Sequence, residues 1–262
     1  MRVVLDRVAK GARDAALPPA SVAFRTGEVT LARAETEQRP TVLGLIASGR
    51  MRPDSGTVTI DGDTDHAAMR KRIALIDAPA VCEPAPDVTV SGVVAEELMF
   101  AGRASGPLAV RRRLAELGAS EWARFAIGTV PPAVRIRLLT ELALLRDGVD
   151  GLVITSPDRH GGDPDDWWRL ARELAGRGIA VLVIAGDASA AAIAATALVS
   201  RLDETTNASR GFDEDPATDD TDELPDVLIA GPGPGPSTAA SPSPRTTPTH
   251  DPRDDSRAED PE

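Results

Sequence analysis

The chain has 262 residues, 42% of them hydrophobic, and a formal net charge of −12, so it is long and apolar enough to bury a sizeable core. Residues 203–262 hold 16 of the 41 acidic and 4 of the 29 basic side chains, which leaves 25 of each for residues 1–202. A neutral region followed by an acidic one argues against nucleic-acid binding, and a single cysteine, Cys82, excludes an internal disulfide.

In chain order, short β-branched and apolar runs predict strands at Arg2–Asp6, Ser21–Phe24, Glu28–Arg33 and Thr57–Asp61. A helix is expected over Thr41–Ser48, between the third and fourth of these strands. A strand at Arg72–Asp77 leads to helices at Val90–Ala101, Leu108–Leu117 and Ala133–Leu145. The apolar run Gly151–Thr155 and the longer Ile179–Ala185 read as strands buried on both faces, with a helix at Pro164–Arg177 between them and a last strand at Ala197–Leu202. Asp163, Asp165 and Asp166 favour that helix's N-terminus through its dipole, and of the adjacent Trp167 and Trp168 one is expected in the core and one at a surface contact. His66, His160 and His250 lack the spacing of a metal site and read as ordinary loop or tail residues. No run is long enough to span a bilayer, and Met1–Lys10 lacks the apolar core of a signal peptide, so a cytoplasmic protein is expected.

Residues 203–262 contain ten of the 22 prolines and are read as a disordered acidic tail whose removal leaves stability unchanged. Its apolar island, Leu224–Ala230, is the expected docking element if the tail recruits a partner.

Residues 42–61, VLGLIASGRMRPDSGTVTID, resemble the segment that follows the phosphate loop in ATP-binding cassette (ABC) ATPases. There, a helix ending L-I-A-G leads through R-P-x-S-G to a strand and Asp-Gly. The resemblance extends from about residue 21 to 202. It implies an α/β, P-loop NTPase-like nucleotide-binding domain with a largely parallel central sheet, an antiparallel β part and a helical insert at about 85–147. The domain would span residues 1–202, with 203–262 as the tail.

Followed along the chain, the family's functional groups are replaced. The phosphate loop, G-P-N-G-x-G-K-S-T in the family, corresponds to Arg33–Thr41. Its glycines, which allow close backbone approach to phosphate, become Arg33, Thr36 and Gln38. Glu35 and Glu37 add negative charge beside a polyanion, and Pro40 offers neither hydroxyl nor N–H; Arg39 and Thr41 keep one positive charge and one hydroxyl. Ala78 stands for the Q-loop glutamine, Pro131 and Pro132 fall in the L-S-G-G-Q signature, Thr155 and Ser156 replace the Walker B Asp-Glu, and Gly186 takes the place of the switch histidine. No aromatic lies near Ala12, where an adenine-stacking ring is expected. The resemblance therefore implies a degenerate cassette with no catalytic residues, no metal and no expected cofactor. As a subunit it would work by binding, as an accessory or regulatory partner of a membrane permease or of an active ABC ATPase, in a homo- or heterodimer, at the inner face of the membrane. Its contact surface would lie around residues 86–104. Two other readings stay open: an ATPase that binds or hydrolyses Mg-ATP through a site rebuilt on Arg39 and Thr41, and a soluble scaffold that recruits partners through its tail.

Overall fold

The structure, a computed structural model, describes residues 1–35, 39–210 and 227–229. Strands β1 (Arg2–Lys10), β2 (Leu17–Arg25) and β4 (Ser55–Ile60) form an antiparallel sheet in the order β2-β1-β4. A second, parallel sheet has the order β5-β6-β7-β3-β8, with β3 at Val29–Arg33, β5 at Ile73–Ile76, β6 at Gly151–Thr155, β7 at Ala180–Ala185 and β8 at Val227–Ile229. Helix α1 (Arg39–Ala47) follows β3, and α2 (His66–Arg72) precedes β5. Helices α3 (Val90–Phe100), α4 (Pro107–Glu116) and α5 (Pro132–Ala143) form the insert between β5 and β6. Helix α6 (Pro164–Gly176) links β6 to β7, and α7 (Asp187–Arg210) follows β7.

Every residue of β5, β6 and β7 is buried, because helices or the antiparallel sheet cover both faces of the parallel sheet. Alternation divides these strands between two cores. Val181, Val183 and Ala185 face the insert and α6, together with Ile136, Leu142 and Trp167. Ala180, Leu182 and Ile184 face α1 and the antiparallel sheet, together with Phe24, Leu43 and Ile46.

The L-I-A-S-G and S-G stretches have a steric origin. A Cβ on Gly49, at φ +72°, would lie 2.6 Å from Cβ of Met69. On Gly56, at φ +78°, the nearest backbone oxygen is also inside contact distance. Both places admit only glycine without a backbone shift.

Several expectations need correction. The strand at Ala197–Leu202 is absent, and those residues lie inside α7. Alanine, the best helix former, supplies seven of the ten residues 188–197 and outweighs the short apolar run. The helix therefore crosses the expected boundary at 202. The apolar island returns as β8, which pairs parallel to β3 through Leu31↔Val227, Ala32↔Leu228 and Arg33↔Ile229. The remaining tail, residues 211–226 and 230–262, lies outside the described residues. Trp167 and Trp168 are both buried, in an edge-to-face pair with centroids 6.4 Å apart, because α6 is covered by the sheet on one side and by α5 and α7 on its flanks. Arg72 ends α2 and does not begin β5, and α2 itself was not expected.

Candidate functional site

Parallel strands that all run in one direction present their C-terminal ends on one edge, where α/β proteins place ligands. Here that edge collects Ala34 and Glu35 after β3, Asp77 and Ala78 after β5, Thr155 and Ser156 at the end of β6, and Gly186 after β7. Helix α1, with Arg39 and Thr41 in its first turn, rises from the same edge. Thr36, Glu37 and Gln38 lie outside the described residues. Pro131 and Pro132 begin α5 at some remove from this group, with Pro132 packed against Gly162.

Several of these residues have structural roles. The Ala78 carbonyl accepts the N–H groups of Val81, Cys82 and Glu83 at 3.1–3.3 Å, so the residue closes a tight turn and its side chain is fully buried. Ser156 has φ 47° and ψ 55°, and its N–H donates to the Ile184 carbonyl at 2.8 Å. Asp77, at φ 54°, also lies in the left-handed region, which costs a non-glycine residue about 1 kcal/mol. The Thr155 side chain is fully buried, and its Oγ1 has no hydrogen-bond partner among the described residues; Thr41 Oγ1 is in the same condition. Pro131 and Pro132 provide the N-cap and first residue of α5, where a missing N–H costs nothing.

At the N-terminus of α7 the chain supplies its own carboxylates. Gly186 N–H donates to Asp158 Oδ2 at 2.8 Å, and Asp187 N–H donates to Glu35 Oε1 at 2.7 Å. Ser189 Oγ donates to the same Asp158 oxygen at 3.2 Å, and Arg33 Nε lies 2.7 Å from Asp187 Oδ1. Positive backbone dipole at a helix start attracts anions, and two internal anions already satisfy it.

The most buried charge at this edge escaped the sequence reading. Asp77 accepts from Arg135 Nη2 at 2.6 Å and Nε at 3.0 Å, and from His160 Nε2 at 2.7 Å, with Arg159 Nη2 at 3.2 Å. Burial works to raise the Asp77 pKa, but hydrogen bonds from His160 and Arg135 outweigh it and hold the carboxyl below its ordinary value. An ionised carboxylate only accepts, so His160 Nε2 carries the proton. His160 is thus no ordinary loop residue. One signal for this cluster was present in the sequence: Arg135 occupies the same helical stripe as Leu138, Leu139 and Leu142, and a charge on an apolar stripe requires a partner. Asp163 caps α6, accepting from Asp165 N–H at 3.0 Å. Among the described residues no group of three His, Cys, Asp or Glu side chains is arranged to hold a metal ion, and no helix is long and apolar enough to cross a membrane.

The insert exposes large apolar side chains at Val81, Val88 and Phe125, and at Met99 (59% exposed), Phe100 (60%) and Leu108.

No family model and no curated protein sequence matches the chain. Solved structures do. A nucleotide-free ATP-binding cassette from an ABC transporter superposes with TM-score 0.51 at 19% identity, over 71% of this chain and 82% of that one. A dimeric bacterial ABC transporter cassette gives 0.51 at 18% identity, over 71% and 88%. The cbiO1 protein of Clostridium perfringens, part of the cbiONQ ABC transporter complex, gives 0.50 at 17% identity, over 71% and 78%. At such identities the likeness establishes architecture, and the architecture of this chain is that of an ATP-binding cassette.

Proposed function

We propose that the chain is a non-hydrolysing cassette-fold subunit that acts by docking, as an accessory or regulatory partner of a membrane transport complex. The observation that carries this reading is the strand-end edge itself. The β6 terminus offers two neutral hydroxyl residues, Thr155 and Ser156, in place of carboxylates, and the α7 N-terminus is taken by Glu35 and Asp158. Phosphoryl transfer depends on positioned charge and metal, and neither is offered by these side chains. The insert, by contrast, has three helices and exposes several large apolar side chains. A cytoplasmic protein, peripheral at the membrane and paired with a permease or an active ATPase subunit, fits this reading.

A second reading draws on the unpartnered hydroxyls of Thr41 and Thr155, which a rebuilt Mg-ATP site using Arg39 could engage. Calorimetric titration with Mg-ATP separates the two. The docking reading expects no saturable binding below about millimolar, whereas micromolar binding lost on Arg39→Ala would establish the rebuilt site. Affinity capture from detergent-solubilised membranes should recover a multi-span membrane protein, and Met99→Asp should abolish capture with circular dichroism unchanged. Recovery of soluble proteins alone, through the tail, would replace the transport assignment with a scaffold.

A further inference from the structure

Asp77 has a side chain with 0% exposure at the end of β5, and it draws together side chains from α5 and from the turn after β6. Arg135 reaches it from the first turn of α5 and also donates from Nη1 to the Ile127 carbonyl at 3.2 Å, so both ends of the 127–135 segment are held. Arg159 and His160 reach it from the 3-10 turn after β6. Arg159 also donates to the Asp77 carbonyl and, at 2.8 Å, to Glu83, whose other oxygen accepts from Ala80 N–H at 2.8 Å. Arg135 and Arg159 set two positive charges beside the carboxylates of Asp77 and Glu83. Arg135 is only 4% exposed and Asp77 fully buried, so a small displacement of the insert that parts them breaks a buried ion pair.

From this geometry we infer that Asp77 is a clamp: a positioning residue whose buried ion cluster fixes the helical insert, and with it the exposed Val88 and Phe125, against the strand ends. The backbone supports that coupling. Ile127 N–H donates to Val88 O at 2.8 Å, Gly128 N–H to Pro86 O at 2.9 Å, and Val90 N–H to Phe125 O at 2.9 Å. The apolar residues therefore ride on a segment that Arg135 ties down through Ile127. The orientation of the insert is set by the chain's own side chains and needs no ligand. This inference goes beyond the docking reading, and its test involves no partner, so a failed membrane capture leaves it standing.

The test is hydrogen exchange followed by mass spectrometry on the full chain, comparing Asp77→Asn, Arg135→Met and the double variant. Asp77→Asn leaves Arg135 buried without a carboxylate partner, and Arg135→Met leaves Asp77 held by Arg159 and His160 alone, so exchange in peptides covering 84–91 and 122–129 should rise roughly a hundredfold for the first and by a smaller factor for the second. Peptides covering 151–155 and 180–185 should stay protected. The double variant, which removes both charges, should recover much of the lost protection. Unchanged exchange in the single variants would overturn the inference. So would a rise equal in sheet and insert, which marks a general stability pair, or strictly additive effects in the double variant. If Asp77→Asn fails to fold, Arg159→Gln keeps the question open to measurement. It should raise exchange in the same insert peptides by a smaller factor, and no local rise there would also overturn the clamp.

Discussion

Replacing Thr155 with valine should stabilise the protein, although this position aligns with a functional carboxylate in the family it resembles. Thr155 has 0% exposure, and its Oγ1 is a buried hydroxyl with no partner among the described residues. The oxygen points at α1, where a Cβ built on Gly44 would stand 2.9 Å away, so glycine leaves the gap that it enters. An unsatisfied buried hydroxyl costs about 1–3 kcal/mol. Valine keeps the β-branched shape and its rotamer preference, and the slightly larger methyl group gives back part of the gain against Gly44, leaving a net benefit of about 1–2 kcal/mol. For a domain of this size each kcal/mol moves the melting temperature by about 2–4 °C, so a rise of roughly 2–8 °C is expected by calorimetry. The urea midpoint should increase with an unchanged m-value. Thr155→Ser should instead lose stability, since it keeps the hydroxyl and discards the methyl. A fall in stability for Thr155→Val would refute the reasoning, because it would mean that the hydroxyl is satisfied in solution and contributes to the fold or to a bound ligand.

Two further outcomes follow from the fold and its charges. Truncation after Arg210 removes β8 and opens the β3 edge; at about 1 kcal/mol per lost backbone hydrogen bond the melting temperature should fall by several degrees, and an unchanged value would show that the pairing of 31–33 with 227–229 contributes nothing in solution. Stability should also fall away at acid pH. Asp77 and Glu173 are held below the ordinary carboxylate value, so they bind fewer protons folded than unfolded; their contribution is complete above about pH 4 and is lost as the pH falls through the lowered folded values. Melting temperature should fall as the pH drops below about 4, and an unchanged value at about pH 3 would show that these ion pairs contribute nothing in solution.

Strands whose burial is complete were the most legible part of the sequence. Gly151–Thr155 was located to the residue, and the other strands of the parallel sheet that precede α7 shifted by only a residue or two, because an uninterrupted apolar run has no other stable home in an α/β layer. Less legible were elements decided by tertiary context. The run at 197–202 has strand-like composition, and only its attachment to an alanine-rich stretch makes it helical. β8 lies far from its partner in sequence, and nothing local predicts parallel pairing across that distance. Ala78, Thr155, Ser156 and Gly186 lie along one strand-end edge of the parallel sheet. Also less legible in the sequence were the charged side chains that occupy this edge. Asp77 was passed over as the last residue of a strand, and Glu35 was read only as a repulsive charge. Its acceptance of the Asp187 N–H depends on a neighbour 152 positions away.

The order of strands in the parallel sheet also bears on how the chain is made. β1, β2 and β4 lie within the first 60 residues, so the antiparallel sheet can assemble soon after it leaves the ribosome. β3 belongs to the other sheet. Its neighbour β7 lies about 150 residues downstream, and at roughly 5–20 residues per second that strand arrives on the order of ten seconds later. Throughout that interval Leu31 and Ala32 sit on an apolar strand with both edges unpaired, which is the kind of segment that trigger-type chaperones shield on nascent chains and that pairs wrongly when left bare. The topology thus makes the yield of folded protein sensitive to translation speed between residues 34 and 180, independently of the stability of the finished molecule.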